Sequence, residues 1–516
     1  MNDQPYSLLV VHETEADIPK RPTRAETPPK LLISAVVFGV LFSWLFVNQE
    51  PGLNMAVFVL LVYGFAGYNR TLFVRRTFRQ EPLIYLFTVP VVFLSVYFFA
   101  ADTLLNVLSV LVIMLVIFVQ YVVISGNALY SWDQPGFFVD LVFAAVNRVI
   151  MALGLFLSGV FRRLFKERSS RKTGVLIGIG VGFVLLLIIV PILALSDPLV
   201  STLLSGFFVQ ISVGDAFLYV FMFLLGATLI TAPVASAKAE ELSGLRRVRE
   251  NVQKRPVQGV TVGVALTMLS VVYVLFAVVQ FSYFFLPYQT LKWVLGLTSS
   301  AYAVRGFGEL MVVTCINFVV IAVTLRFSAL KNGRLPIYLK VLLTLLVAFN
   351  FVIMASSHLR MQCYETYFGY TVMRFLPHSF MALLLILNVI MLGRIYSDKV
   401  KAFRLFAVAA LCYFCVIVAV NPERWVTRAN VNRYEQAVQT GQAGEIDTEY
   451  LLSLSANALP DACTFVEEHP EQLTQGVQDI AKSRLESFYW TEKNSGWQSL
   501  NISRQQAITS LESLLQ

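Results

Sequence analysis

The chain has 516 residues, of which 57% are hydrophobic and only 14% charged, with a mean hydropathy of +0.68. That is far too apolar for a soluble globular protein of this length, so most of the chain must be solvated by lipid. The net charge of +8 would suggest nucleic acid in a soluble protein. Here Lys and Arg gather in short loops between apolar runs, which is the pattern of membrane orientation and excludes nucleic acid as the reason for the charge.

Residues 1–30 are polar, contain Pro22, Pro28 and Pro29, and lack the apolar core of a cleavable signal peptide. The first span is therefore expected to act as an uncleaved insertion signal. A spanning helix needs about 20 apolar residues to cross roughly 30 Å of hydrocarbon, and this criterion predicts about eleven spans. They are Leu31–Val47, Leu53–Tyr68, Leu83–Ala100, Leu104–Ile124, Val175–Leu195, Ala216–Val234, Val260–Phe285, Leu310–Leu325, Ile337–Ser356, Phe375–Gly393 and Leu405–Val420. The expected fold class is all-α: a polytopic helical membrane protein.

The loop charges orient these spans. One set of loops holds Lys20, Arg21, Arg24 and Lys30, then Arg70, Arg75, Arg76 and Arg79, then Arg162 to Lys172, Lys238 to Arg255, Arg326 to Arg334, and Arg394 to Arg404. The intervening loops 48–52, 101–103 and 196–215 hold no Lys or Arg. Cytoplasmic loops carry the basic excess, so the N-terminus is expected inside and the C-terminus outside. Residues 137–161 are apolar, but a span there would export the Arg162–Lys172 cluster. With Asp140, Asn147 and Arg148 within it, this segment is expected to lie along or within the inner leaflet as an amphipathic or re-entrant helix. The next expected span contains Gly178, Gly180, Gly182 and Pro191, which suit close helix packing and a kink.

Polar residues at bilayer depth are costly to keep and mark functional candidates. Gln280, Asn317, Asn350 and Asn388 place one amide in each of four successive late spans. If they converge they line a polar path; alone, each only bonds a neighbouring helix. Arg305 and Glu309, at i,i+4 in an outer connection, either neutralise each other at the interface or bind. In the outer elbow 357–374, the residues Arg360, Tyr364, Tyr367, Thr371 and Arg374 fall on one helical face. Two cations flanking two phenols suit an anionic headgroup or small solute, and equally suit an interfacial aromatic belt with snorkelling Arg.

After Asn421-Pro422 the composition turns polar. Asp447 opens a helical pattern, Pro460 suits a first helical turn, and Ser503-Arg-Gln-Gln506 reads as a capping box. Residues 422–516 are expected to form an extracytoplasmic helical domain, leaving 31–421 as the transmembrane domain and 1–30 as a cytoplasmic segment.

Neither a cofactor nor a metal is expected. Four of the five Cys lie in or beside apolar segments, Cys463 has no near partner, and the glycines of the fifth expected span lack a following Lys-Ser/Thr. The four His stand at 12, 358, 378 and 469 with no zinc spacing, and the spans hold no carboxylate dyad, so enzymatic function is disfavoured.

Several motifs together resemble bacterial multi-pass proteins of the domain of unknown function 4173 family and its 4153 relatives. They are Tyr273 to Tyr283, the Tyr302-Ala-Val-Arg305-Gly-Phe-Gly-Glu309 elbow with Asn317, the Arg360 to Arg374 elbow, Ser196-Asp-Pro198, Asn421-Pro422, Asn430 to Tyr434 and Asp447 to Ser455. The likeness covers roughly Gly174 to the C-terminus. Val304 departs from it, standing where the family tends to have a charged residue. The resemblance implies an integral protein of the bacterial plasma (inner) membrane and supplies no catalytic residues. Two function classes follow: transport or lipid and solute handling, or a sensor or assembly module acting through the C-terminal domain.

Overall fold

The computed structural model describes residues 27–126, 130–134, 136–137, 141–142, 151–160, 213–239, 259–284, 299–327, 335–441 and 444–516. In lipid every backbone N–H and C=O must find a partner within the protein, which only helices and closed barrels achieve. The described residues form helices and no strand. The apolar ones are α1 Pro29–Phe46, α2 Leu53–Tyr68, α3 Pro82–Ala100 with a break at Phe87, α4 Asn106–Ile124, α5 Met151–Val160, α6 Val213–Ala239, α7 Gly259–Phe284, α8 Ser299–Phe327, α9 Ile337–Phe368, α10 Val372–Tyr396 and α11 Ala402–Val420. A polar tail follows as α12 Pro422–Gln439, α13 Thr448–Ser453, α14 Leu459–Glu468, α15 Gln475–Asn494 and α16 Ile502–Leu515.

Among the described residues six helices, α1, α3, α4, α9, α10 and α11, are long and apolar enough to cross a membrane. The apolar runs of α2, α5, α6, α7 and α8 are shorter. The expected span Val175–Leu195 lies outside the described residues, as do Asp140, Asn147, Arg148 and much of the expected inner-leaflet segment. Of that segment α5 is described. It packs against α1 and α6, with Phe156 facing Phe223 and the Ala152 carbonyl accepting from the Thr231 hydroxyl.

Residues 299–309 and 357–368, expected to lie in connections, are helical. α8 begins at Ser299, so Arg305 and Glu309 lie in its opening turns. α9 runs on through His358 and Glu365 to Phe368, because nothing in that polar stretch forbids a helix until Gly369. Gly369 takes φ +72° and ψ −173°, a conformation essentially confined to glycine, and the chain reverses there. The expected stripe is consequently broken: Arg360, Tyr364 and Tyr367 belong to α9, while Thr371 and Arg374 start the returning α10.

Helix association in lipid has no hydrophobic driving force and depends on close packing and polar contacts. α1 and α6 illustrate the first, for a Cβ on Gly39 would stand 2.7 Å from the Phe223 carbonyl oxygen. One apolar cluster joins α1 to α4 and α6 with Ile417 and Val418 of α11; another joins α7 to α10 through Leu266, Ile321, Leu343 and Met391. α11 touches both halves, setting Phe406 against Phe318 and Tyr413 against Ser379.

The described connections among α1 to α4 and α9 to α11 sort to two ends. At one, Arg75 and Arg76 donate their backbone N–H groups to the Ile124 carbonyl, Trp132 donates to Glu81 at 2.7 Å, and Lys401 pairs with Asp133 at 2.5 Å. Burial would raise the Asp133 carboxyl, but hydrogen bonds from Lys401 and Ser131 hold it below the usual carboxylate range. At the other end the tail bonds three connections. Leu53 N–H donates to the Leu500 carbonyl at 3.1 Å, Asn501 donates to the Phe98 and Ala101 carbonyls, and Asn430 exchanges bonds with the Tyr370 backbone. Glu423 accepts from Leu104 N–H and from Ser455. The apolar cluster of the tail also takes in Val372, with Phe375 and Leu376 packed against it, so α10 contributes to it.

Local signals explain the tail's joints. Asn421 adopts φ +55°, ends α11, and accepts the Arg424 N–H with its own side chain to open α12, with Pro422 in the first turn. Asp447 caps α13 at Tyr450 N–H, and Pro460 sits in the first turn of α14. The last helix is capped by Asn501 at Arg504 N–H, two residues before the expected Ser503. An Asn in extended backbone suits that position equally well, and its amide also reaches the end of α3.

Candidate functional site

The candidate site begins with an apolar contact. Tyr273 on α7 stacks on Phe349 of α9 with centroids 4.2 Å apart and planes 10° from parallel. The stack turns the phenol toward α8, where Tyr273 Oη donates to Asn317 Oδ1 at 2.8 Å. Asn317 Nδ2 donates to Asn350 Oδ1 at 2.6 Å, and Asn350 Nδ2 donates to Asn388 Oδ1 at 2.8 Å. Asn388 Nδ2 closes the series on the Leu384 carbonyl of its own helix at 2.9 Å. Four consecutive helices are thus joined by one directional ladder, and its three amides are 0%, 1% and 1% exposed.

Directionality matters to the chemistry. An amide presents an acceptor and two donors, so each Asn can receive from one neighbour and give to the next. The ladder carries no formal charge, which spares it the desolvation penalty of an ion at this depth. A solute offering a hydroxyl or an amide, which both accepts and donates, could replace a rung without leaving an unmatched group.

Of the sequence-predicted residues, the structure brings together Asn317, Asn350 and Asn388. Gln280 lies near the end of α7, Arg305 and Glu309 on α8, and Tyr364 and Tyr367 on α9, with their side chains outside the described set. Arg360 is half-buried on α9. Arg374 Nη1 donates to the Gly369 carbonyl at 2.5 Å, so its guanidinium caps the end of α9.

Near that turn the structure assembles residues that the sequence shows only as scattered. His378 Nδ1 lies 3.0 Å from Glu365 Oε1, and the His358 ring packs on His378 at 4.8 Å. Helical periodicity relates positions 358 and 365, but position 378 joins them only because the chain reverses at Gly369. A second polar knot lies in the other half. Tyr63 donates to Gln120 at 2.6 Å, and Gln120 donates to the Ile84 carbonyl at 2.9 Å. Gln120 alone in so apolar a span was a visible signal of the same kind as the late amides. Among the described residues no three His, Cys, Asp or Glu side chains converge as metal ligands.

On the outer face of α7 an apolar groove of about 690 Å³ is bounded by Gly263, Thr267, Met268, Val271 and Tyr338. Its wall of Met and Val continues into exposed apolar stripes on the neighbouring helices.

Apolar helices of membrane-crossing length, knitted by buried amides, define a helical membrane-type protein. The chain belongs to the family described as Domain of unknown function (DUF4153), which matches residues 86–462. The resemblance is thereby narrowed to the 4153 group. Its reach is also revised, since the match begins within α3, well before Gly174, and ends within α14. No curated protein and no solved structure matches the chain.

Proposed function

We propose that the protein handles a polar or anionic small solute, or a lipid headgroup, in a bacterial inner membrane, and that the Tyr273–Asn317–Asn350–Asn388 ladder is where the polar groups of that cargo are met. The ladder is the observation that carries this reading. Intramembrane polar residues are retained mainly where they serve a pathway, and here they form a connected set across four successive helices rather than isolated helix contacts. Arg305 and Arg360 add two basic residues to the sequences of α8 and α9, and a guanidinium suits carboxylate or phosphate.

The membrane topology is part of the proposal and rests on the loop charges. The end holding Arg70 to Arg79 and Arg394 to Arg404 faces the cytoplasm, and the end covered by the tail faces outward. About eleven spans cross the bilayer, with the segment near 137–161 at the inner leaflet, and residues 422–516 stand outside as a helical domain.

A second reading has its own support. The tail bonds the α1–α2, α3–α4 and α9–α10 connections at once, so a partner bound to it would bear on helices of both halves. In that case the protein acts as a sensor or assembly module, and the ladder only holds α7 to α10 together.

Native mass spectrometry of the purified full chain separates the two. The expected result is a co-purifying lipid or small solute in the native protein that is lost from Asn350→Leu. An identical ligand spectrum in both overturns the ladder as a binding site.

A further inference from the structure

The segment between α15 and α16 exposes apolar side chains that the tail's core does not use. Trp497 is 46% exposed, and Leu500 and Ile502 are 38% each. The segment is nevertheless held in place. Gly496 N–H donates to Gln49 Oε1 at 2.9 Å, Glu50 N–H donates to Ser499 Oγ at 2.8 Å, and the Leu500 carbonyl accepts from Leu53 N–H. Gln49 and Glu50 belong to the connection between α1 and α2 and Leu53 opens α2, so this stretch lies level with the helix ends.

What Trp497 meets there indicates its surroundings. Its ring lies 5.5 Å from that of Trp44, in the last turn of α1. Trp44 ends an exposed stripe of Ile33, Val37, Val40 and Trp44, spaced three or four residues apart on a helix of membrane-crossing length. A stripe of that kind on such a helix faces acyl chains, and indole rings collect where those chains meet the headgroups. The apolar surface therefore continues without interruption from α1 onto the tail.

We infer that residues 495–502 form an interfacial foot, with Trp497, Leu500 and Ile502 seated in the headgroup boundary of the leaflet at the tail's end. The partner is the phospholipid itself. The foot anchors the tail over α1 to α3, and this anchoring is independent of what the ladder binds.

Lipid and aqueous quenchers of tryptophan fluorescence test this on the full chain. The protein is reconstituted in phosphatidylcholine vesicles, and in the same lipid brominated on the acyl carbons nearest the headgroup. Trp497→Phe is expected to remove a bromine-quenched share of emission on the order of one tryptophan in the six of the chain, leaving iodide quenching unchanged. Adding Leu500→Trp to that variant should restore a bromine-quenched component. If Trp497→Phe leaves the bromine-quenched share unchanged, the inference fails: a lost iodide-quenched share places the ring in water, and loss of neither places it under protein. Should Trp497→Phe not assemble, Leu500→Trp in the native background gives the same decision, and an added emitter insensitive to bromine overturns the foot.

Discussion

Asn350→Leu is the most informative single perturbation, because Asn350 is the central rung and Leu nearly matches it in shape. The substitution deletes the bonds at 2.6 and 2.8 Å and strands Asn317 Nδ2 and Asn388 Oδ1, on residues that are 0% and 1% exposed. Interhelical hydrogen bonds in membranes contribute about 0.6 kcal/mol on average and about 1.7 at most. Two such bonds, plus two orphaned groups with no water to reach, give an expected loss of about 2–3 kcal/mol. Reversible unfolding of the full chain in mixed micelles with increasing SDS measures it. A change below about 0.5 kcal/mol would refute the ladder, since even one average membrane hydrogen bond exceeds that. Changing all the rungs together sharpens the question. Tyr273→Phe with Asn317→Leu, Asn350→Leu and Asn388→Leu leaves no orphan, so stability should return to within about 1 kcal/mol of the native protein. A restored fold with a lost ligand assigns the ladder to binding; a restored fold with an unchanged ligand spectrum assigns it to packing.

Gly369→Ala should destabilise the α9–α10 turn by about 1–3 kcal/mol, because its backbone lies in a region essentially closed to other residues. A new Cβ there would also stand 2.8 Å from Arg433 Nη1; faster limited proteolysis near the turn is the readout, and native resistance would count against the geometry. Asp461 provides a pH test. Burial would raise its carboxyl, but hydrogen bonds from Arg428 and Arg424 lower it below 3.8. A depressed carboxylate stabilises fully above its unfolded value and loses that contribution as the pH falls through the folded one. Acid loosening of the tail below about pH 4 should therefore be shallower in Asp461→Asn, as read by amide hydrogen exchange in α12 and α14. Equal acid slopes in the two proteins would remove the pair from the account. For topology, a Cys at Asn48 or Glu492 should react with an impermeant reagent in intact cells, and one at Arg247 should not. Ser499 is a poor labelling site because it is buried against the α1–α2 connection.

Composition alone pointed to lipid as the solvent and, through it, to helices. A chain that is 57% hydrophobic and 14% charged is membrane-like, and lipid leaves helices as the economical way to satisfy the backbone. Helix ends were readable wherever a local device sets them, as at Asn421-Pro422, Asp447 and Pro460, since a cap acts within four residues. Chain reversals were less legible. The polar stretches 299–309 and 357–368 looked like connections, yet polarity does not oppose a helix, and only Gly369 does so decisively.

The amides were visible one by one as expensive residues in apolar spans. Their joining was a property of packing, because which face of α8 meets α9 depends on contacts among residues far apart in sequence. The same holds for His358, Glu365 and His378, which meet only across the Gly369 turn. It holds for the tail as well. Its polarity set it apart from the spans, but its docking through Glu423, Asn430 and Asn501 onto three distant connections, with α10 side chains in its core, was decided by the tertiary fold. A short polar side chain bonds whatever backbone the fold brings within about 3 Å, and its local sequence does not specify that partner.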